Sequence, residues 1–119
     1  MYFFDTYAII EIIRGNTNYE KYKREAIVTS SLNIGELYYI NLKKHGKKTA
    51  DYYYKNIKPD YLEITPICVV KAFYFRFINK KKGFSLIDCI GYILALDHGL
   101  IFLTGDIAFK GISNVEFVK

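Results

Sequence analysis

Five short apolar, β-prone runs are spaced along this chain, and the segments between them end on glycines placed behind basic or titratable side chains. The runs are Tyr2-Phe3-Phe4, Ala26-Ile27-Val28-Thr29, Tyr61-Leu62-Glu63-Ile64, Ile101-Phe102-Leu103 and Val115-Glu116-Phe117-Val118. The dipeptides Arg14-Gly15, His45-Gly46, Lys82-Gly83 and His98-Gly99 mark at least four helix C-termini. Glycine there supplies a left-handed cap, and a basic side chain in the last turn suits the helix dipole. Strands alternating with helices imply an α/β domain around a mostly parallel sheet of about five strands. The expected order is strand 2–5, helix 6–14, short helix 18–24, strand 26–29, helix 31–45, helix 47–57 and strand 61–64. Helix 66–82, helix 85–98, strand 101–104, a turn and strand 115–118 follow. Residues 66–78 have β-like composition in Cys68-Val69-Val70 and Phe73-Tyr74-Phe75-Arg76-Phe77, but Pro66 suits a first helical turn and Gly83 an end.

A chain of 119 residues has room for one domain, 1–119, and no repeat, low-complexity tract or linker divides it. With 51% hydrophobic and 24% charged residues, disorder is excluded. The apolar opening holds Asp5 and Glu11 and lacks a basic leader, so it does not read as a signal peptide. No run reaches the roughly 18 apolar residues of a membrane span. Cys68 and Cys89 have no CxxC spacing and no paired histidine, and read as reduced core residues rather than a zinc site or a disulfide. The expectation is a soluble cytoplasmic domain. Its net charge of +5 favours an anionic partner in a general way.

The acids sort into two groups. Glu11 has Arg14 at helical spacing, Glu20 has Lys23 and Arg24, Glu25 has Lys21, and Asp51 has Lys47, Lys48 and Lys55. These read as solvated surface pairs. Asp5 instead closes the first strand, at the edge where open parallel sheets place their sites. Glu36 lies one turn from Leu32 and from Ile40, on the apolar stripe of its helix, and Asp88 opens a helix apolar almost all round. Asp106 follows strand 101–104 in the turn Thr104-Gly105-Asp106, with Lys110 four residues on. A buried, unpaired carboxylate must protonate, accept hydrogen bonds or bind a cation. Taken singly, Asp5, Asp88 and Asp106 read as caps. Together, oxygen ligands without His or Cys suit a hard cation such as Mg²⁺ or Mn²⁺, which serves phosphodiester cleavage.

These residues resemble the PIN-domain ribonucleases, and in length and layout the VapC-type toxins of bacterial and archaeal toxin–antitoxin pairs. Phe4-Asp5-Thr6-Tyr7-Ala8-Ile9-Ile10 resembles the family's strand-end Asp-Thr element, and Thr29 to Leu37 resembles the segment carrying its helical Glu. Phe84-Ser85-Leu86-Ile87-Asp88-Cys89, continuing through Ala95-Leu96-Asp97-His98-Gly99-Leu100 to Leu103-Thr104-Gly105-Asp106, is similar to its Ser-x-x-Asp helix, cap, strand and Thr-x-Asp turn. The resemblance implies a metal-dependent endoribonuclease in which Asp5, Glu36, Asp88 and Asp106 are catalytic and hold one or two Mg²⁺ or Mn²⁺ ions. Thr6, Ser85 and Thr104 are then polar support. It also implies RNA as substrate, a homodimer, and a cognate antitoxin whose tail occupies the active-site groove. Many members carry a further acid two residues past the last one, where this chain has Ala108.

Other features carry two readings each. Lys43-Lys44-His45-Gly46-Lys47-Lys48 and Lys80-Lys81-Lys82 are solvated faces or a phosphate-contacting rim. His45 and His98 precede cap glycines and read as caps. Tyr38-Tyr39 and Tyr52-Tyr53-Tyr54 suit a protein interface, base stacking or core packing. A haloacid-dehalogenase-like site needs a second Asp where Tyr7 stands, and no P-loop is present. The alternative function is a weakly active or inactive module that binds RNA or protein, its acids serving only as caps.

Overall fold

A computed structural model describes residues 1–119. Five strands, β1 (Tyr2–Phe4), β2 (Val28–Thr29), β3 (Asp60–Tyr61), β4 (Ile101–Thr104) and β5 (Val115–Phe117), form one sheet in the order β3-β2-β1-β4-β5. Every neighbouring pair is parallel. The helices are α1 (Thr6–Ile13), α2 (Ser31–His45), α3 (Lys47–Asn56), α4 (Pro66–Ile78) and α5 (Leu86–Asp97). Three 3-10 segments, Thr17–Arg24, Lys80–Lys82 and Ile107–Phe109, complete the chain.

The central strands are mostly apolar because both faces are covered, with Thr29 and Thr104 at the carboxyl ends of β2 and β4. In register, Phe3 stands beside Phe102 and Phe4 beside Leu103. Side chains alternate across a strand, so Phe3 and Phe102 join the core under α5 with Ile90, Tyr92, Leu94 and Phe109. Phe4 and Leu103 join the opposite core with Ala8, Ile9, Ile34 and Leu37. Gly91 lets α5 sit close on the sheet, since a Cβ there would lie 2.9 Å from the Phe3 ring and 3.1 Å from that of Phe102.

Residues 66–78 are helical: the Thr65 hydroxyl accepts from the Cys68 amide and Pro66 occupies the first turn. The expected helix 66–82 breaks at Asn79, and Lys80–Lys82 form a 3-10 turn before left-handed Gly83 (φ 73°). The expected strand 61–64 is shorter, because after Tyr61 the side chains of Leu62 and Ile64 pack against the α4–α5 core. Cys68 and Cys89 are free and buried. No helix is long and apolar enough to cross a membrane.

The connections reverse direction at β1, the next strand in sequence lying to one side and β4 to the other. Such a switch point opens a crevice beyond the carboxyl ends of the strands. Asp5 follows β1 and Asp106 follows β4 at that edge.

Candidate metal centre

A groove of about 300 Å³ at this edge is lined by Asp5, Thr6, Tyr7, Ile10, Glu36, Ile40, Ser85, Asp88 and Asp106. All four isolated acids therefore reach one place, from the ends of β1 and β4, from α2 and from the start of α5. The protein's ion pairs lie elsewhere: Arg14–Glu11, Lys23–Glu20, Lys47–Asp51 and Lys71–Asp97. Lys110, four residues beyond Asp106, lies over the Phe117 ring at 5.7 Å instead of pairing with it. Lys21 likewise covers the Tyr22 ring at 5.1 Å, and its expected pair with Glu25 does not form.

Asp5 is 3% exposed and held on both sides. Its Oδ1 accepts from the Thr6 amide at 2.9 Å, and its Oδ2 from the Thr104 hydroxyl at 2.7 Å. Thr104 in turn accepts from the Asp106 amide at 3.1 Å, which ties the two strand ends together. Asp106 Oδ1 caps the following turn through the Ala108 amide at 3.0 Å. Asp88 and Ser85 form a reciprocal capping box, Ser85 N donating to Asp88 Oδ2 at 3.0 Å and Asp88 N to Ser85 Oγ at 3.1 Å. Capping thus describes three of the four acids correctly. Glu36 caps nothing. It is half-buried, with Leu32 exposed and Ile40 half-buried one turn to either side, while the buried stripe of α2 runs through Asn33, Ile34, Leu37 and Asn41. The sequence expectation that Glu36 sits on the buried apolar face is corrected accordingly: its face borders the groove.

A cap beside a helix N-terminus normally favours the carboxylate form. Asp5 goes the other way, pushed up to about 8 by burial first and by the charge of Asp88 next, against the hydrogen bonds from Thr104 and Thr6. Asp88 is also raised, by burial first and with smaller contributions from Asp106 and Glu36. These carboxylates repel one another in a site with no protein cation. An all-oxygen donor set under that stress fits a hard divalent ion. No three His, Cys, Asp or Glu side chains form a ready-made cage, so filling the site needs side-chain adjustment. Each acid keeps lone pairs free for it, since their hydrogen bonds use one or two oxygens and Glu36 uses none.

Asn33 and Ser30 were missed by the sequence reading. Asn33 is fully buried, donating from Nδ2 to Thr6 Oγ1 at 3.0 Å and to Asp5 Oδ1 at 3.5 Å, while its Oδ1 accepts from Ser30 Oγ at 2.6 Å. A polar residue three positions before Glu36, on the opposite side of the helix from solvent, was the available signal.

The model of the PIN domain family matches residues 2–115. The chain belongs to the PIN domain family. No curated protein matches it in sequence. Among solved structures, the PIN domain is similar to Mycobacterium tuberculosis VapC20, described as a sarcin-ricin loop cleaving toxin, with TM-score 0.77 and 15% identity, covering 98% of this chain and 99% of that one. A toxin–antitoxin complex from Klebsiella pneumoniae gives TM-score 0.74 at 18% identity over 98% and 96% of the two chains. VapBC2 from Rickettsia felis, bound to a DNA fragment from their promoter, gives 0.73 at 20% over 99% and 98%. At these identities the likeness is one of fold.

Proposed function

We propose that this PIN domain is a divalent-metal-dependent endoribonuclease and the toxin of a toxin–antitoxin pair. The observation that carries the proposal is the convergence of Asp5, Glu36, Asp88 and Asp106 on one groove, where Asp5 is buried against other carboxylates without a cation. Asp5, Asp88 and Asp106, with Glu36, would hold Mg²⁺ or Mn²⁺. When bound, the ion supplies Lewis acidity that activates a water and stabilises the leaving oxygen of a phosphodiester. Thr104 orients Asp5 and receives the Asp106 amide, so one hydroxyl sets the spacing of two acids. Ser85 fixes the Asp88 carboxyl through the capping box, and Thr6 holds Asp5 by its amide. The Lys80–Lys82 run ends three residues before Ser85, and we propose that its positive charge attracts a phosphate backbone. Lys43–Lys48 lie at the far end of α2 from the strand edge that carries the site.

Family membership and the toxin–antitoxin neighbours support an antitoxin partner. A cavity of about 560 Å³ on α2, lined by Ser31, Ile34, Gly35, Tyr38, Asp51, Tyr54 and Tyr61, is a mixed apolar and polar surface that a part of the antitoxin outside the groove could cover. The proposal includes a homodimer acting in the cytoplasm, as the family resemblance implies. A second reading, a binding module whose acids only cap, draws on the capping bonds of Asp5, Asp88 and Asp106.

Cleavage of a mixed RNA pool separates the two. Antitoxin-free protein is incubated with Mn²⁺, Mg²⁺ or EDTA beside Asp88→Asn and Asp106→Asn. Metal-dependent cleavage that falls at least 100-fold in both variants is expected. Cleavage unchanged in the variants would overturn the site, and none in any metal would favour the binding module.

A further inference from the structure

The packed helices α1 and α2 each run from an acid of the metal groove to a cation. On α1, Ile10 and Arg14 follow Thr6 at one-turn spacing, and on α2 Ile40 and Lys44 follow Glu36 in the same way. These rows flank a second cavity of about 420 Å³, which shares Ile10 and Ile40 with the metal groove and continues it towards the far end of α2. Its polar lining is Arg14, Asn41, Lys44, His45, Thr49 and Tyr53, and no carboxylate borders it. Lys44 has no ion pair, and Arg14, 67% exposed, makes only a 3.4 Å contact to Glu11. Two further observations mark this cavity as a receptor for an anion. Asn41 is 7% exposed, and its Nδ2 is the one buried side-chain polar atom of the chain without a partner. Rotating the amide about its last torsion turns that donor to the cavity, where an anion oxygen satisfies it. Helix α3 also begins here, at Gly46, with no side chain capping its first amides, and Thr49 lies in its first turn. An uncapped helix N-terminus attracts negative charge.

We propose that this cavity binds a phosphate of the RNA backbone, a few nucleotides away from the phosphate at the metal groove. Arg14 and Lys44 supply the charge, and Asn41, Thr49 and the first amides of α3 supply neutral donors. The choice of RNA as occupant rests on the nuclease reading and follows from the continuity of the two cavities. Glu36 and Lys44 stand roughly 12 Å apart along one face of α2. A single strand laid across the acids passes over Ile10 and Ile40 and delivers a phosphate to the basic end. The acids repel a backbone that arrives without an ion, whereas the basic end holds it whether or not the metal is bound. Such a contact positions the strand and reads no sequence.

Fluorescence anisotropy of a labelled, mixed-sequence single-stranded RNA with antitoxin-free wild-type protein in EDTA tests it, since binding is then read without cleavage. Arg14→Ala and Lys44→Ala, both at exposed positions, should each weaken binding about 10-fold and lower the slope of log K against log salt by about 1. The double variant should lose about 100-fold with its circular dichroism unchanged. Asn41→Leu, which alters no charge, should weaken binding a few-fold and leave the salt slope as it was. Lys71→Ala, on the α4 side of the sheet, should bind as the wild type does. With Mn²⁺ the double variant should show a raised KM and an unchanged kcat. Wild-type affinity in the double variant overturns the proposal, even where Mn²⁺-dependent cleavage proceeds. A loss in Lys71→Ala as large as in Lys44→Ala reduces the effect to overall charge and overturns it too. Inorganic phosphate that raises the thermal midpoint of the wild type but not of the double variant, with RNA affinity equal in both, shows a free-phosphate site and overturns RNA as the occupant. Affinity lost in the double variant of a protein that cleaves in no metal upholds the site and tells against the nuclease reading alone.

Discussion

Asp5 serves as helix cap, strand terminus and candidate ligand at once, and these roles pull its proton in opposite directions. The amide of Thr6 and the hydroxyl of Thr104 favour the charged form, whereas burial and the neighbouring acids outweigh them and bring the group to about 8. The folded state thus binds this proton more tightly than the unfolded chain, whose Asp titrates near 3.8. Between those values folding takes up a proton, so the stability contribution is present at low pH and lost as pH rises towards 8. With EDTA present, thermal melts should therefore show a midpoint that drops from pH 5.5 to pH 8.5. Asp5→Asn should flatten that slope. It should also stabilise the ion-free protein at pH 8 by on the order of 3 kcal/mol, since each pKa unit is worth about 1.4 kcal/mol and the altered hydrogen bonds offset part of the gain. A slope unchanged in the variant would mean that another group carries it. Asn33 makes a second prediction. Asn33→Leu keeps the branching and the number of side-chain heavy atoms but leaves Thr6, Asp5 and Ser30 without their buried partner. Urea unfolding should show a loss of about 1–3 kcal/mol, and kcat/KM should fall about 10-fold, with the conservative Asn33→Thr retaining more of both.

At the scale of the element, the site depends on how α5 lies against the sheet. Gly91 touches the Phe3 and Phe102 rings where any Cβ would be too close. Gly91→Ala must lift the helix that carries Asp88 in its first turn or displace two stacked rings, and should destabilise by about 1–3 kcal/mol. Denaturant unfolding measures that loss, and a neutral result would show that the core has slack here. The glycine caps were legible before any coordinates: Gly15, Gly46, Gly83 and Gly99 all adopt positive φ. So was the helical state of 66–78, because Pro66 acts locally in its first turn. The short strands were overextended at β2 and β3, where Ile27 packs against the core of α1 and α2, and Leu62 and Ile64 against that of α4 and α5. The Ser30–Asn33–Thr6 network was not legible for a related reason. Its partners lie 27 residues apart in sequence and meet only when β1 and β2 pair.

Across the whole molecule, the parallel order β3-β2-β1-β4-β5 converts four separated acids into neighbours. The run of short motifs pointed to the PIN family, which the family match establishes. That three of these acids also cap elements explains how a chain can carry such a site cheaply: the same carboxylate that ends a strand starts the next helix. Ala108 stands where many family members carry a further acid, and it packs against the core below the turn. The donor set we propose for this PIN domain is therefore the four groove acids. The measurement that tests this most directly is calorimetric titration of Mn²⁺ into the wild-type protein and into Asp88→Asn. A saturable isotherm in the wild type, lost or weakened at least 10-fold in the variant, is the predicted result. Equal isotherms in the two proteins, or no binding in either at millimolar Mn²⁺, would contradict the assignment of these acids as a metal site.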